Sequence, residues 1–373
     1  MRILFCAGGT GGHIFPIIAI KRKIEKEIKH SRGLEKEKPE FLFIGCQILR
    51  EKELKEEGIP IQKITGGKWR RYFSFKNFID LLKFPFSFFQ ALYKVWAFMP
   101  DVVFSKGGQG TFPIVLAAWL YQIPVVLHES DSIPGFNNKL SAKFSKKIFL
   151  SFEEAKKYFN PKKTEVSGHP IREKLLQGSK KTAKKIFNLS GERKIILALG
   201  GTQGAVKINE LIVHVLTRYV SLYEIIHVCG ERNFKELDLM TRGILKEEQR
   251  KYYHLYPFLD EEKLSHALAA ADLVITRGGS STIFEIAALE KPQIIIPLQG
   301  SAQNHQVWNA RIFREKDLAI VIEEPNATPH FVFGRVCHLL QDEETLKKIK
   351  KNCQKFIKKN ASQKIARYLL KVL

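Results

Sequence analysis

Short, predominantly apolar runs recur along the chain, several of them holding a single polar residue. Longer stretches separate them, in which apolar residues return every three or four positions. The runs fall at residues 3–7, 41–44, 102–105, 125–128 and 148–151 in the first half, and at 195–199, 225–229, 273–276, 294–297 and 319–323 in the second. A strand with no polar face has no side for water, so these runs predict parallel strands buried on both faces and joined by crossover helices. The fold class is therefore α/β with two doubly wound parallel sheets. Each half opens alike. The first run leads into Gly8-Gly9-Thr10-Gly11-Gly12-His13 and a helix pattern, and the run at 195–199 leads into Gly200-Gly201-Thr202-Gln203-Gly204-Ala205 and another. This is duplication of a whole sheet, not a short-period repeat. The expected division is a first domain at 1–166, a second at 167–345 and C-terminal helices at 346–373, with local order broken at Gly168-His169-Pro170. Which domain those amphipathic terminal helices cover is open from sequence; packing back on the first is one option.

A length of 373 residues suits two domains of ordinary size, and 45% apolar with 27% charged residues describes a globular protein. The charge changes the picture more. Lys and Arg number 61 against 38 acids, a formal +23, which points to an anionic partner or to a lysine-rich way of solvating surfaces. The five cysteines, Cys6, Cys46, Cys229, Cys337 and Cys353, are scattered without a CxxC, so neither a disulfide framework nor a zinc site is expected. The N-terminal run meets glycine at once, too soon for a signal peptide, and the apolar stretch near residues 84–99 is broken by Pro85, Gln90 and Lys94.

Glycines between a strand and a helix remove Cβ atoms, so backbone N–H groups at the positive helix end can approach a phosphate. A tight turn with no ligand would look similar. Position 14 is Ile14, which excludes GxGxxG; the second strand ends in Gly45-Cys46-Gln47 without the acid of a nicotinamide site; and no GxxxxGK[ST] occurs. His13, at the start of the first helix, is a candidate general base, or else a capping residue. In the second half a strand ends in Arg277-Gly278-Gly279-Ser280-Ser281-Thr282, with the next helix beginning near Ile283-Phe284-Glu285. Small hydroxyls, glycine and an arginine at a helix N-terminus suit a pyrophosphate. Glu285, read as lying in the first turn, suits a ribose diol or the helix dipole. Gln306 and Asn309 follow the next strand, where amides pair with sugar hydroxyls or simply solvate a loop.

Taken together these motifs resemble the bacterial UDP-N-acetylglucosamine:lipid I N-acetylglucosaminyltransferase family of peptidoglycan synthesis. The resemblance rests on Gly8 to His13, Pro100-Asp101-Val102-Val103 with Lys106-Gly107-Gly108, residues 123–129, Gly168 to Arg172, Gly200 to Ala205, Arg277 to Glu285, and Gln306 with Asn309, in the family's order over nearly the whole chain. It implies a GT-B fold of two Rossmann-like domains facing a cleft. The implied reaction is inverting transfer of N-acetylglucosamine from UDP-GlcNAc to undecaprenyl-pyrophosphoryl-MurNAc-pentapeptide (lipid I), giving lipid II for cell-wall synthesis. By the same resemblance Thr10, Gly11 and Gly12 face donor sugar and acceptor diphosphate, while Arg172 and Thr202 contact the donor. Leu259 holds uracil through its backbone; Ser280, Ser281, Thr282, Ile283 and Phe284 wrap the pyrophosphate. Glu285 binds the ribose and Gln306 reads the sugar. His13 is the expected base, with Asp131 as the alternative, His128 as an orienter and Arg277 meeting the leaving charge.

The chain departs from the family pattern at His128-Glu129-Ser130-Asp131, where many relatives have HEQN, and at Gly107-Gly108-Gln109-Gly110-Thr111, where many have Gly-Gly-Tyr-Val-Ser. Both departures bear on the acceptor side. No DxD occurs, so no metal and no cofactor are expected. Between Lys68 and Phe98 aromatic residues interleave with Lys68, Arg70, Arg71, Lys76, Lys83 and Lys94 against one acid, Asp80. That mixture suits peripheral binding to an anionic membrane, although part of it is expected to be core, and the resemblance implies the cytoplasmic face of the inner membrane. Nucleic acid is not the expected partner, since no RNA-binding signature accompanies the aromatics. The competing readings are another GT-B glycosyltransferase or epimerase using UDP-GlcNAc with a different acceptor, and a non-enzymatic nucleic-acid-binding protein.

Overall fold

The computed structural model describes residues 1–30, 38–66, 75–200 and 204–372, with side chains of the helix Phe75–Phe98 described from Lys83 onward. The chain forms two compact units, Met1–Pro170 with Lys358–Leu373, and Ile171–Ile357. The division thus falls at Pro170/Ile171 instead of after residue 166. The C-terminal segment is itself divided: helix Glu343–Phe356 belongs to the second unit and helix Ala361–Val372 to the first.

The first unit holds seven strands: β1 (Arg2–Gly8), β2 (Glu40–Cys46), β3 (Ile61–Lys63), β4 (Val102–Gly107), β5 (Val125–Glu129), β6 (Lys147–Leu150) and β7 (Thr164–Val166). They form one sheet in the order β3-β2-β1-β4-β5-β6-β7, every pair parallel. The second unit holds β8 (Ile195–Leu199), β9 (Glu224–Val228), β10 (Tyr253–Tyr256), β11 (Leu273–Thr276), β12 (Gln293–Ile295) and β13 (Ile320–Val321). Its order is β10-β9-β8-β11-β12-β13, again parallel.

β1 shows why its run has no polar position. Ile3, Phe5 and Ala7 point into a core closed by helix Gly11–His30 and by Ile365, Ala366 and Leu369 of the terminal helix. Leu4 and Cys6 point to the opposite face, against Ala91 and Val95 of helix Phe75–Phe98 and Ile114 and Val115 of helix Phe112–Leu120. Both faces are dry, so alternation disappears.

β3, β7 and β10 have no counterpart among the sequence runs, and each is an edge strand with no fully buried residue. An edge strand packs on fewer neighbours and tolerates polar residues such as Gln62, Glu165 and His254, so it carries no continuous apolar signal. In each sheet the strand order reverses at one place, between β1 and β4 and between β8 and β11. Loops leaving the carboxyl ends of those strands flank the crevice where open α/β sheets take ligands.

Candidate functional site

In the first unit the switch point is flanked by Gly8 to Thr10, after β1, and by Gly107 to Thr111, after β4. The two loops touch. A Cβ on Gly108, whose φ is +98°, would stand 2.8 Å from the Gly8 backbone and 3.1 Å from His13 Nε2. A Cβ on Gly9 would collide with the Gln47 carbonyl. Only glycine allows this approach. Gly11, Gly12 and His13 form the first turn of helix Gly11–His30, and Thr10 precedes it. Thr10 Oγ1 lies 2.8 Å from His13 Nδ1, and the Thr10 carbonyl accepts from the His13 backbone N–H at 3.0 Å. Thr10 therefore holds the imidazole.

His128 does not orient His13. It lies inside β5, fully buried, with Nε2 3.4 Å from both the Gly168 carbonyl and Ser151 Oγ. Burial, then the charge of Lys106, hold it neutral, well below the ordinary histidine range. Asp131, partly exposed just beyond β5, donates its backbone N–H to Glu129 Oε1 at 2.8 Å.

The sequence reading passed over the groups around it. Glu129 and Lys106 are both buried at strand ends; Glu129 Oε2 accepts from Asn138 Nδ2 at 2.7 Å, and Lys106 Nζ donates to Ser130 Oγ. Burial and the neighbouring Asp131 push the Glu129 carboxyl up to about 7, while burial pushes the Lys106 ammonium down to about 8. Asn137 Nδ2 donates to the Gly108 carbonyl at 2.7 Å, so this polar cluster also fixes the loop beside His13. The available signal was a charge closing an otherwise apolar strand, twice, in neighbouring strands.

In the second unit the switch point lies between the ends of β8 and β11. Thr202 lies outside the described residues. The helix after β11 spans Ser280–Ala288, capped by Gly279. It starts three residues before the expected Ile283, because small polar residues after Gly279 already suit a first turn, so Glu285 stands in the second turn. A Cβ on Gly279 would meet nothing within 4 Å, so there is room beside the cap residue, while Ser280 and Ser281 behind it are buried. Ser280, Ser281 and Thr282 occupy the first turn, whose N–H groups lack intrahelical acceptors by geometry. The Ile283 N–H already donates to the Gly279 carbonyl at 3.1 Å; the Ile283 and Phe284 side chains are buried in the core.

Glu285 is buried and gripped by Arg172, with Nε to Oε1 at 2.8 Å and Nη2 to Oε2 at 3.0 Å. Two residues read separately thus form one bidentate pair, with Glu261 3.8 Å from Arg172 Nε. Arg277 Nη1 donates to the Ile296 carbonyl at 3.2 Å and Nη2 pairs with Glu324 Oε1 at 2.8 Å. Gln306 Oε1 accepts from the Leu298 N–H at 3.1 Å, while Asn309 is fully buried and donates Nδ2 to the Gly278 carbonyl at 3.4 Å. Leu259 is a core residue between β10 and helix Glu261–Ala270. No cluster of His, Cys, Asp or Glu placed to hold a metal occurs among the described residues.

Each unit thus presents a glycine loop and a helix N-terminus at the switch point of its own parallel sheet. The comparisons agree with that duplication. Residues 3–150 match the glycosyltransferase family 28 N-terminal domain, and residues 195–365 the glycosyltransferase family 28 C-terminal domain. A Bacillus cereus protein named UDP-N-acetylglucosamine–N-acetylmuramyl-(pentapeptide) pyrophosphoryl-undecaprenol N-acetylglucosamine transferase 2 is 35% identical over 370 residues, 99% of each chain. Among solved structures, Acinetobacter baumannii MurG superposes with a TM-score of 0.71 at 22% identity, over 99% of each chain. A Neisseria meningitidis UDP-GlcNAc 2-epimerase bound to UDP-GlcNAc gives 0.67 at 15%, over 100% of each. The two solved structures establish the two-domain GT-B type of fold, and at such identities they do not separate transferase from epimerase. Sequence does: the chain belongs to glycosyltransferase family 28, among the UDP-N-acetylglucosamine–N-acetylmuramyl-(pentapeptide) pyrophosphoryl-undecaprenol N-acetylglucosamine transferases.

Proposed function

We propose that this chain transfers N-acetylglucosamine from UDP-GlcNAc to undecaprenyl-pyrophosphoryl-MurNAc-pentapeptide, inverting the anomeric carbon and giving lipid II. The observation that carries this reading is the hydroxyl-rich first turn of helix Ser280–Ala288 at the switch point of the second sheet, with Arg277 in the loop that leads into it. Its N–H groups and hydroxyls suit a diphosphate, and the Glu285 carboxylate, oriented by Arg172, suits a ribose. Leu259 and Gln306 are assigned to the uracil and the sugar.

The reaction needs a base and a stabilised leaving group. The acceptor hydroxyl gives its proton to His13 Nε2 while its oxygen bonds to the anomeric carbon; the bond from that carbon to the phosphate oxygen breaks and UDP departs. For this, His13 takes the tautomer in which Nδ1–H donates to Thr10 Oγ1 and Nε2 is the basic nitrogen. Helix dipole and Arg277 meet the charge on UDP, donors whose single removal costs on the order of 2.7–4 kcal/mol in comparable sites. Asp131 is the alternative base, and no metal takes part.

The chain works at the cytoplasmic face of the inner membrane, where a lipid-linked acceptor is anchored. Of the segment from Lys68 to Phe98, residues 68–74 and the side chains of 75–82 lie outside the described residues. Along helix Phe75–Phe98, Phe86, Phe89, Tyr93 and Trp96 are 61%, 67%, 66% and 57% exposed, at the spacing of one helical face. Trp119, Leu120 and Tyr121 are exposed at the end of the helix packed beside it. Aromatics on a basic protein suit an anionic bilayer surface. No described helix is long and apolar enough to cross a membrane.

Product analysis after incubation with UDP-GlcNAc and a lipid I analogue tests the activity. A disaccharide product and UDP, undiminished in EDTA, are expected. Formation of UDP-ManNAc, or hydrolysis alone, would overturn the transferase reading.

A further inference from the structure

Arg277 is the cation that the proposed donor site offers to a diphosphate, and it is already engaged. Its Nη2 lies 2.8 Å from Glu324 Oε1. Glu324 belongs to the short turn Glu324–Asn326 that follows β13, and its Oε2 accepts the Gln299 backbone N–H at 3.1 Å. One carboxylate therefore ties the loop after β11 to the loop after β12, both at the carboxyl end of the sheet. The Arg277 and Glu324 side chains are 13% and 21% exposed, so an arriving anion can reach the pair.

A carboxylate and a phosphate present the same kind of two-oxygen face to a guanidinium. An anion that takes the guanidinium therefore has to displace the Glu324 carboxylate from it. We propose that Glu324 is a resident counter-anion of Arg277, which the donor's diphosphate displaces on binding and which reclaims the guanidinium when UDP leaves. Glu324 is then a positioning residue. It acts through Arg277, lowers affinity for the product UDP and speeds its release. The inference rests on the reading of this loop as the diphosphate site.

The test is calorimetric titration of the full chain with UDP and with uridine, which lacks the diphosphate, for wild type, E324Q, R277M and the E324Q/R277M double variant. E324Q keeps the side chain's shape and one oxygen acceptor where the carboxylate offers two, and it removes the charge. It should tighten UDP about two- to fivefold, the scale of a partly exposed ion pair. Uridine affinity should stay fixed, and in the R277M background E324Q should have no effect on UDP. Unchanged or weakened UDP binding in E324Q, a parallel change for uridine, or tightening that persists without Arg277 would each overturn the proposal. Failure of wild type to bind UDP would remove the donor-site reading itself, whereas wild-type binding that E324Q leaves unmoved removes only the counter-anion.

Discussion

His13 owes its place to one near neighbour and one distant one. Thr10, three residues before it, fixes Nδ1, and Gly108, from the loop after β4, leaves the space beside Nε2 that a side chain would fill. Replacing His13 by Ala should lower kcat by about 10²–10⁴, the usual range for a general base, while UDP affinity holds. Steady-state rates with parallel UDP titration decide it, and an unchanged kcat would move the role to Asp131. Arg172 and Glu285 make a second residue-scale case. With side chains 4% and 7% exposed, they form a buried pair whose disruption leaves an uncompensated carboxylate. Arg172→Met should destabilise the second unit by about 3–5 kcal/mol as well as weaken the donor, measured by urea unfolding and UDP titration. Loss of affinity with full stability would mean that Arg172 touches the donor directly. Both residues were legible in sequence as polar residues after glycine or strand signals. Their pairing was not, because more than a hundred positions separate them and only the fold closes that gap.

Among the elements, the central strands were legible and the edges were not. β1, β4, β8 and β11 bury both faces and announce themselves as predominantly apolar runs, whereas β10, with Tyr253, His254, Leu255 and Tyr256, lies half-buried at the sheet edge. β9 hides a polar residue of another kind. His227 is fully buried, with Nδ1 2.8 Å from Tyr253 Oη and Nε2 2.9 Å from Asn209 Oδ1. Burial pushes its pKa from 6.5 down to about 3. Between those values the unfolded chain binds a proton that the folded chain refuses, so stability falls as pH drops below 6.5 and is unaffected above it. The slope reaches about 1.4 kcal/mol per pH unit for one such group. Wild type should therefore lose its advantage over His227→Asn as pH falls from 7.5 to 5 in urea unfolding. A gap independent of pH would show that the imidazole stays neutral in both states or is charged in both.

Across the whole molecule the excess of 61 basic over 38 acidic residues is spread along the chain, while the exposed aromatic face belongs to one helix and the end of its neighbour in the first unit. Charge alone attracts an anionic surface without holding it; aromatic side chains anchor at the interface once the surface is near. Flotation should show binding to vesicles containing acidic phospholipid over neutral ones, decreasing with salt. Phe89→Ser with Trp96→Ser should reduce binding and leave UDP affinity intact. Equal binding to neutral and acidic vesicles would remove the electrostatic part of the account.

What the sequence determined by itself is everything that follows from periodicity and local chemistry. Those are the two parallel sheets, the helices between their strands, and the glycine turns with small polar residues at helix starts. Each depends on neighbours within a few positions, where spacing is geometry. The tertiary structure decided the rest: the return of helix Ala361–Val372 to the first unit, the edge strands, and the pairs Arg172–Glu285 and Arg277–Glu324. Whether a charge is solvated, buried or neutralised is set by what stands opposite it, and for most of these groups that partner arrives from a distant part of the chain.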